Sequence, residues 1–322
     1  MFYFQKMKET WFAVSVLLII MVDLSIKDAQ LLPLIDKKYY QENPMVMDIL
    51  EDSFGKHRVY SGWLQQEPND KSYPRGPTRL ASILASKELL YPYLGMVYGV
   101  EHVNGFNGLA LELESNRLWW AIFVKSPPER RQRILTRSNV KYWIDSDTLT
   151  PYLEGYPVIL PDRVKVLDGA LPRAYLVPKM RVPEEGNHLL NVYYDESFDP
   201  LAEVLLNEPV NFEESGSFKG RVEEVAYRPN HVSVKTSQEG NGFLVLMDSY
   251  FPGWTVEVDG KEAPLLQANH YYRAVHLGPG RHSVEFDFTP EGFEMGLMIS
   301  GTSIILTVIG CLLLKKYEPV SM

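Results

Sequence analysis

Apolar and polar residues follow three rhythms along this chain, and each predicts a different kind of element. From about Ser217 they alternate: Val232 and Val234 with Ser233 and Lys235, Val256 and Val258 with Thr255 and Glu257, and Val284, Phe286 and Phe288 with Ser283, Glu285 and Asp287. A period of two sends neighbouring side chains to opposite faces, so these segments predict strands with one wet face. The run Phe243 to Met247 is apolar throughout, which predicts a central strand covered on both sides. Turn residues punctuate the runs: Asp259 and Gly260 suit a tight hairpin, Pro252 and Gly253 the central positions of a type II turn, and Gly278 to Gly280 a further reversal. About seven short strands at this spacing predict a sandwich or a barrel, and the expected form is an antiparallel β-sandwich, jelly-roll-like in type.

The second rhythm is unbroken apolarity. From Met295 to Leu314 there are twenty consecutive residues without a charge, followed by Lys315 and Lys316. That length covers a hydrocarbon core of about 30 Å and predicts a C-terminal transmembrane helix. Gly292, Gly296 and Ser300 place small residues at four-residue spacing, the pattern that admits a neighbouring helix. A shorter apolar run, Trp11 to Ile26, follows Lys6 and Lys8 and carries Asp23 near its far end. Ser25 to Leu32 offers no small-x-small cleavage pattern, so this run is read as an uncleaved N-terminal transmembrane anchor. Lysines outside both runs place both tails in the cytoplasm and everything between them outside, with Lys27, Lys37 and Lys38 pulling the other way.

The third rhythm is helical. Asn43 and Pro44 make a helix start ahead of Met45, Val46, Ile49 and Leu50. A second pattern runs from Thr78 to about Leu90 and stops before Pro92, and Arg58 to Tyr60 between them reads as extended. From Pro127 to Pro209, prolines alternate with β-prone runs such as Val140 to Ile144 and Ala174 to Val177. The expected fold class is therefore α+β and membrane-anchored. Its divisions are an anchor over 1–30, an extracytoplasmic α+β region over 31–216, a β-sandwich over 217–291, a transmembrane helix over 292–316 and a cytoplasmic tail over 317–322.

Composition removes several function classes. A net charge of -9 over 322 residues, with no basic stripe, argues against a nucleic-acid partner. Arg130, Arg131 and Arg133 read as a solvated helix face. The single cysteine, Cys311, lies inside the apolar run, which excludes a disulfide framework and a thiolate metal site. No metalloprotease, serine-hydrolase or phosphate-loop motif occurs, and the seven histidines lack metal-ligand spacing. The adjacent pairs Glu184 and Glu185, Glu213 and Glu214, and Glu223 and Glu224 read as solvated. No catalytic residue, metal site or cofactor is expected. The cluster that stands out is Asp248, Tyr250, Trp254, Asn269, His270, Tyr271 and Arg273, because aromatic faces beside amides and charges are what a sugar ring stacks on and hydrogen-bonds to. Asp248, Tyr250, Trp254, Asn269, Tyr271 and Arg273 are thus candidate glycan-binding residues. The plainer alternative packs Tyr250 and Trp254 over the end of the sandwich, with Asp248 capping the turn through backbone amides.

The stretch Met247-Asp-Ser-Tyr-Phe-Pro-Gly-Trp-Thr-Val-Glu-Val-Asp-Gly-Lys, with Gln267-Ala-Asn-His-Tyr-Tyr-Arg-Ala-Val and Gly280-Arg-His-Ser-Val-Glu-Phe, resembles the C-terminal exterior module of the YfhO-like bacterial membrane proteins. Arg58-Val-Tyr, Asn139-Val-Lys-Tyr and Arg173-Ala-Tyr-Leu-Val look like the upstream exterior part of the same family. The family is similar to glycosyltransferases that use polyprenyl-phosphate sugars, whose catalysis needs a carboxylate in an early exterior loop between spans. This chain has one candidate span before its exterior region, so that loop is missing. The resemblance implies a noncatalytic extracytoplasmic module in the bacterial cytoplasmic membrane, linked to glycosylation of cell-envelope glycoconjugates. Its implied partners are membrane lipid, a glycan or polyprenyl-phosphate-sugar ligand, and a multispanning membrane protein. Two alternatives stand beside it: a free-standing membrane-anchored carbohydrate-binding module, and a subunit of a split glycosyltransferase whose catalytic spans lie on another chain.

Overall fold

The computed structural model describes residues 14–16, 18–23, 38–50, 55–61, 79–90, 94–103, 114–144, 164–184 and 188–316. Fourteen strands are described. In chain order they are β1 (Arg58–Ser61), β2 (Val140–Ile144), β3 (Lys165–Val166), β4 (Ala174–Val177), β5 (Lys179–Arg181), β6 (Glu203–Leu205), β7 (Gly220–Arg228), β8 (His231–Gln238), β9 (Gly242–Ser249), β10 (Trp254–Val258), β11 (Lys261–Ala263), β12 (Leu266–Ala268), β13 (Tyr272–Leu277) and β14 (Gly280–Phe288). They form a three-stranded sheet β1-β2-β3, a pair β5-β6, a four-stranded sheet β12-β13-β9-β4 and a five-stranded sheet β11-β10-β14-β8-β7. The two larger sheets are antiparallel throughout, whereas β1-β2 and β5-β6 are parallel. The α+β class is as expected.

The four- and five-stranded sheets share one core. Val232, Val234, Val256, Val284 and Phe286 enter it from one sheet and Ala174, Leu244, Leu246, Val275 and Leu277 from the other. Period-two alternation makes this work: in β14, Val284 and Phe286 are buried while Glu285 and Asp287 face outward. Burying a side chain such as Phe286 contributes about 2–3 kcal/mol in removed apolar area. The reverse face of β9 explains its unbroken apolarity. Phe243, Val245 and Met247 pack into a second core with Tyr60, Trp119, Phe123, Ile134 and Tyr193, brought by β1 and the helices Glu114–Lys125, Pro128–Thr136 and Leu189–Tyr193.

Turn chemistry sets the registers. Asp259 and Gly260 take φ of 53° and 75°, the pair of positive values that a two-residue hairpin needs, and Val258 faces Lys261 across it. The reversal at Gly278 to Gly280 carries the chain from the four-stranded sheet to the five-stranded one. The four-stranded sheet takes one edge from β4, far upstream of its other strands.

Among the described residues one helix is long and apolar enough to cross a membrane. It is Phe293–Lys316, and its stretch Phe293–Gly310 has no residue buried in the protein. The expected N-terminal span is not supported. The described apolar helix there is Val14–Asp23, shorter than the roughly 20 residues that cross a hydrocarbon core. Residues 11–13, 17 and 24–26 of that run, and the tail 317–322, lie outside the described residues.

Candidate functional site

Asp248 stands near the end of β9, where the ladder slips. Tyr272 faces Ser249 while Arg273 faces Leu246, so Met247 and Asp248 bulge from the pairing. Its carboxylate closes the end of the core between the two sheets. Arg58 Nη2 donates to Oδ1 at 2.7 Å, and Arg173 donates to the same oxygen from Nε at 3.0 Å and Nη2 at 2.7 Å. Oδ2 accepts from the Tyr227 hydroxyl at 3.1 Å and lies 3.4 Å from Arg273 Nη2. Arg173 also pairs with Glu101, through Nη1. Residues from β1, β7, β9 and β13, with Arg173 just ahead of β4, thus meet at one buried carboxylate.

The electrostatics are lopsided. Three guanidinium groups meet the carboxylates of Asp248 and Glu101, and the surplus positive charge lies on aromatic faces. Arg273 Cζ is 3.7 Å from the Trp254 ring centroid and 5.5 Å from that of Phe286, and Arg173 Cζ is 4.8 Å from that of Tyr227. Arg273 Nε and Nη1 are buried with no hydrogen-bond partner among the described residues, so the ring quadrupoles are what offset its desolvation there. Burial alone would raise the Asp248 pKa, but Arg173, Arg58 and Arg273 outweigh it and hold the carboxyl below the ordinary range. Burial pulls Arg273 down to about 10, against the opposing pull of Asp248 and Tyr227, so it stays charged at neutral pH. Arg173 is raised, because Asp248, Tyr227 and Glu101 overcome its desolvation. A carboxylate held ionised by three cations is a weak base and a strong strut.

The sequence cluster divides into three parts. Asp248, Trp254 and Arg273 do meet, with Asp248 and Arg273 buried and Trp254 half-buried over them. The Trp254 ring has Arg273 over it and Phe288 beside it at 5.3 Å. Tyr250 and Tyr271 are half-buried neighbours, tied by a hydrogen bond from Tyr250 N to Tyr271 O of 2.8 Å. Asn269 is fully buried away from solvent, because its Oδ1 accepts from Leu205 N at 2.9 Å and its Nδ2 reaches the Tyr175 hydroxyl at 3.4 Å. His270, with φ of 70°, follows it in the β12–β13 turn. Asp248 does not cap the neighbouring turn; Trp254 N closes that turn on Phe251 O at 3.3 Å.

Arg58, Arg173, Tyr227 and Glu101 escaped the sequence reading. The first two open the segments Arg58-Val-Tyr and Arg173-Ala-Tyr-Leu-Val that carried the upstream resemblance. Those arginines were the available signal. Elsewhere, a shallow depression on the outer face of the five-stranded sheet is lined by Ala226, Arg228, His231, Ser233 and Glu285, too open to enclose a substrate. Among the described residues no group of three or more His, Cys, Asp or Glu could hold a metal ion.

Residues 216–300 match the family model described as bacterial membrane protein YfhO. The match begins just before β7 and ends inside the helix Phe293–Lys316, so it joins the strands and the start of that helix in one unit. It bears out the resemblance read from the sequence for this portion of the chain, and with the apolar helix it supports membrane association. No curated protein and no solved structure matches the chain.

Proposed function

We propose that this chain carries the terminal extracytoplasmic module of a YfhO-like membrane protein, a β-sandwich held on the bilayer by Phe293–Lys316, which serves glycosylation of cell-envelope glycoconjugates without catalysing it. The observation that carries this reading is continuity. The last strand of the sandwich, β14, ends at Phe288, and after four intervening residues the chain enters the one described helix able to cross a membrane. The family match runs unbroken across that junction. The noncatalytic part of the reading rests on Asp248, the carboxylate at the centre of the site, being committed to three arginines and a tyrosine.

Within this reading the exposed part of Tyr271 is the surface left for a glycan, because Asp248, Asn269 and Arg273 are buried. Orientation is tested with Lys261→Cys in a Cys311→Ser background. An impermeant maleimide labels intact cells if the sandwich is outside; labelling only after permeabilisation refutes the orientation. Transfer of sugar from a polyprenyl-phosphate donor by the purified chain alone would overturn the noncatalytic assignment.

A further inference from the structure

The junction between the last strand and the apolar helix is short and turned. Only residues 289–292 separate Phe288 from Phe293, a reach of at most about 17 Å even if fully extended. It is not extended: Phe293 N donates to Pro290 O at 3.1 Å, and Gly292 supplies a φ of 76° for the reversal. The same segment is fastened to the turn between β9 and β10. Thr289 N donates to Gly253 O at 2.9 Å, and a Cβ on Gly253 would lie 2.5 Å from Thr289 O, so only glycine permits this approach. Aromatic rings gather at this point, with Phe251 and Trp254 at 6.2 Å and 5.3 Å from Phe288. The turn therefore cannot leave the place where the helix begins.

We propose that the turn Tyr250–Trp254 is an interfacial membrane anchor, its rings resting among lipid headgroups beside the entry point of the helix Phe293–Lys316. The amphipathic rings of Tyr250 and Trp254 favour that depth, where an apolar body and a polar tip are both accommodated, and Phe251 adds apolar area beside them. The partly exposed Tyr250, Phe251 and Trp254 form the contact. The hairpin at Asp259 and Gly260 lies at the other end of β10, five residues or about 17 Å along the strand, and carries exposed charge instead. The anchor gives the module a fixed tilt over the membrane and holds the Asp248 network close to the headgroup layer.

The proposal rests on Phe293–Lys316 being a span, and the test separates the two. The full chain in a Cys311→Ser background receives a single cysteine at Phe251, Lys261 or Ile304, carries bimane there, and is reconstituted in phosphatidylcholine and phosphatidylglycerol vesicles. Nitroxide lipids, shallow or deep, serve as quenchers. The Phe251→Cys site is expected to lose about half its fluorescence to shallow nitroxides, the Ile304→Cys site a similar share to deep ones, and the Lys261→Cys site almost none. Tyr250→Cys gives a second position should Phe251→Cys fold poorly. Quenching at Ile304→Cys with none at either turn position sinks the anchor alone. Absence of quenching at Ile304→Cys sinks the span and the anchor together.

Discussion

Two buried carboxylates, one in each half of the molecule, sit in opposite surroundings. Asp248, in the two-sheet module, accepts from Arg58, Arg173 and Tyr227 and lies against Arg273, and its pKa is held low. Glu88, at the end of the helix Arg79–Glu88 in the upstream region, accepts from Met45 N at 2.7 Å and forms no salt bridge among the described residues. Burial raises its pKa, with the Met45 amide and Lys87 opposing. Similar groups at similar depth are thus held ionised in one place and made easier to protonate in the other. The number of cations that converge decides which.

The largest expected effect comes from removing the fixed charge. Asp248→Asn leaves three guanidinium groups together with one fewer counter-charge and should cost about 3–5 kcal/mol, read as the urea midpoint of the detergent-solubilised chain by tryptophan fluorescence. A loss below about 1 kcal/mol would mean that the network is not a strut. Arg173→Met removes two of the bonds to Asp248 and the pair with Glu101, and should cost about 2 kcal/mol. The double variant should be less destabilised than the sum of the two, since both act on one network; strict additivity would break the comparison.

Acid sharpens it. A carboxyl held below its unfolded value contributes stability above about pH 4 and loses it as pH falls through the folded value, so Asp248 protects the module across the neutral range and releases it only below about pH 4. Glu88 has the opposite sign. Its folded value is raised, so the native state gains stability as pH falls through that value, and the gain is complete below the unfolded one. Stability measured from pH 7 to 2 should first rise slightly and then fall below about pH 4; Asp248→Asn flattens the fall and Glu88→Gln flattens the rise. A profile unchanged in both variants would show that neither carboxyl is the sensor. The smallest effect is that of Glu88→Gln at pH 7, a stabilisation of less than about 1 kcal/mol, because the amide oxygen still accepts from Met45 N and no charge is buried.

Much of the two-sheet module was legible because its signals are local. Alternation placed β8, β10 and β14, Asp259 and Gly260 placed a hairpin, and the apolar run of β9 announced a strand buried on both faces. The helices expected from Pro44 toward Gly55 and from Thr78 to about Leu90 are described at Met47–Leu50 and Arg79–Glu88, and residues 51–54 and 78 lie outside the described residues. The candidate site was legible only in part. Asp248, Trp254 and Arg273 could be picked out as chemistry-bearing residues on neighbouring segments, but Arg58 and Arg173 lie 190 and 75 residues from Asp248 in the chain. No spacing rule reaches that far.

The amino-acid sequence alone determined the strand faces, the tight turns and the charge-free stretch that suits a bilayer, since each depends on side chains within a few residues of one another. Only the tertiary structure decided that β4 would complete a sheet with β9, that three arginines would converge on one carboxylate, and that Gly253 would lie against Thr289. Those outcomes depend on how distant faces bury one another. Packing and charge pairing across space select them, and a linear pattern carries neither.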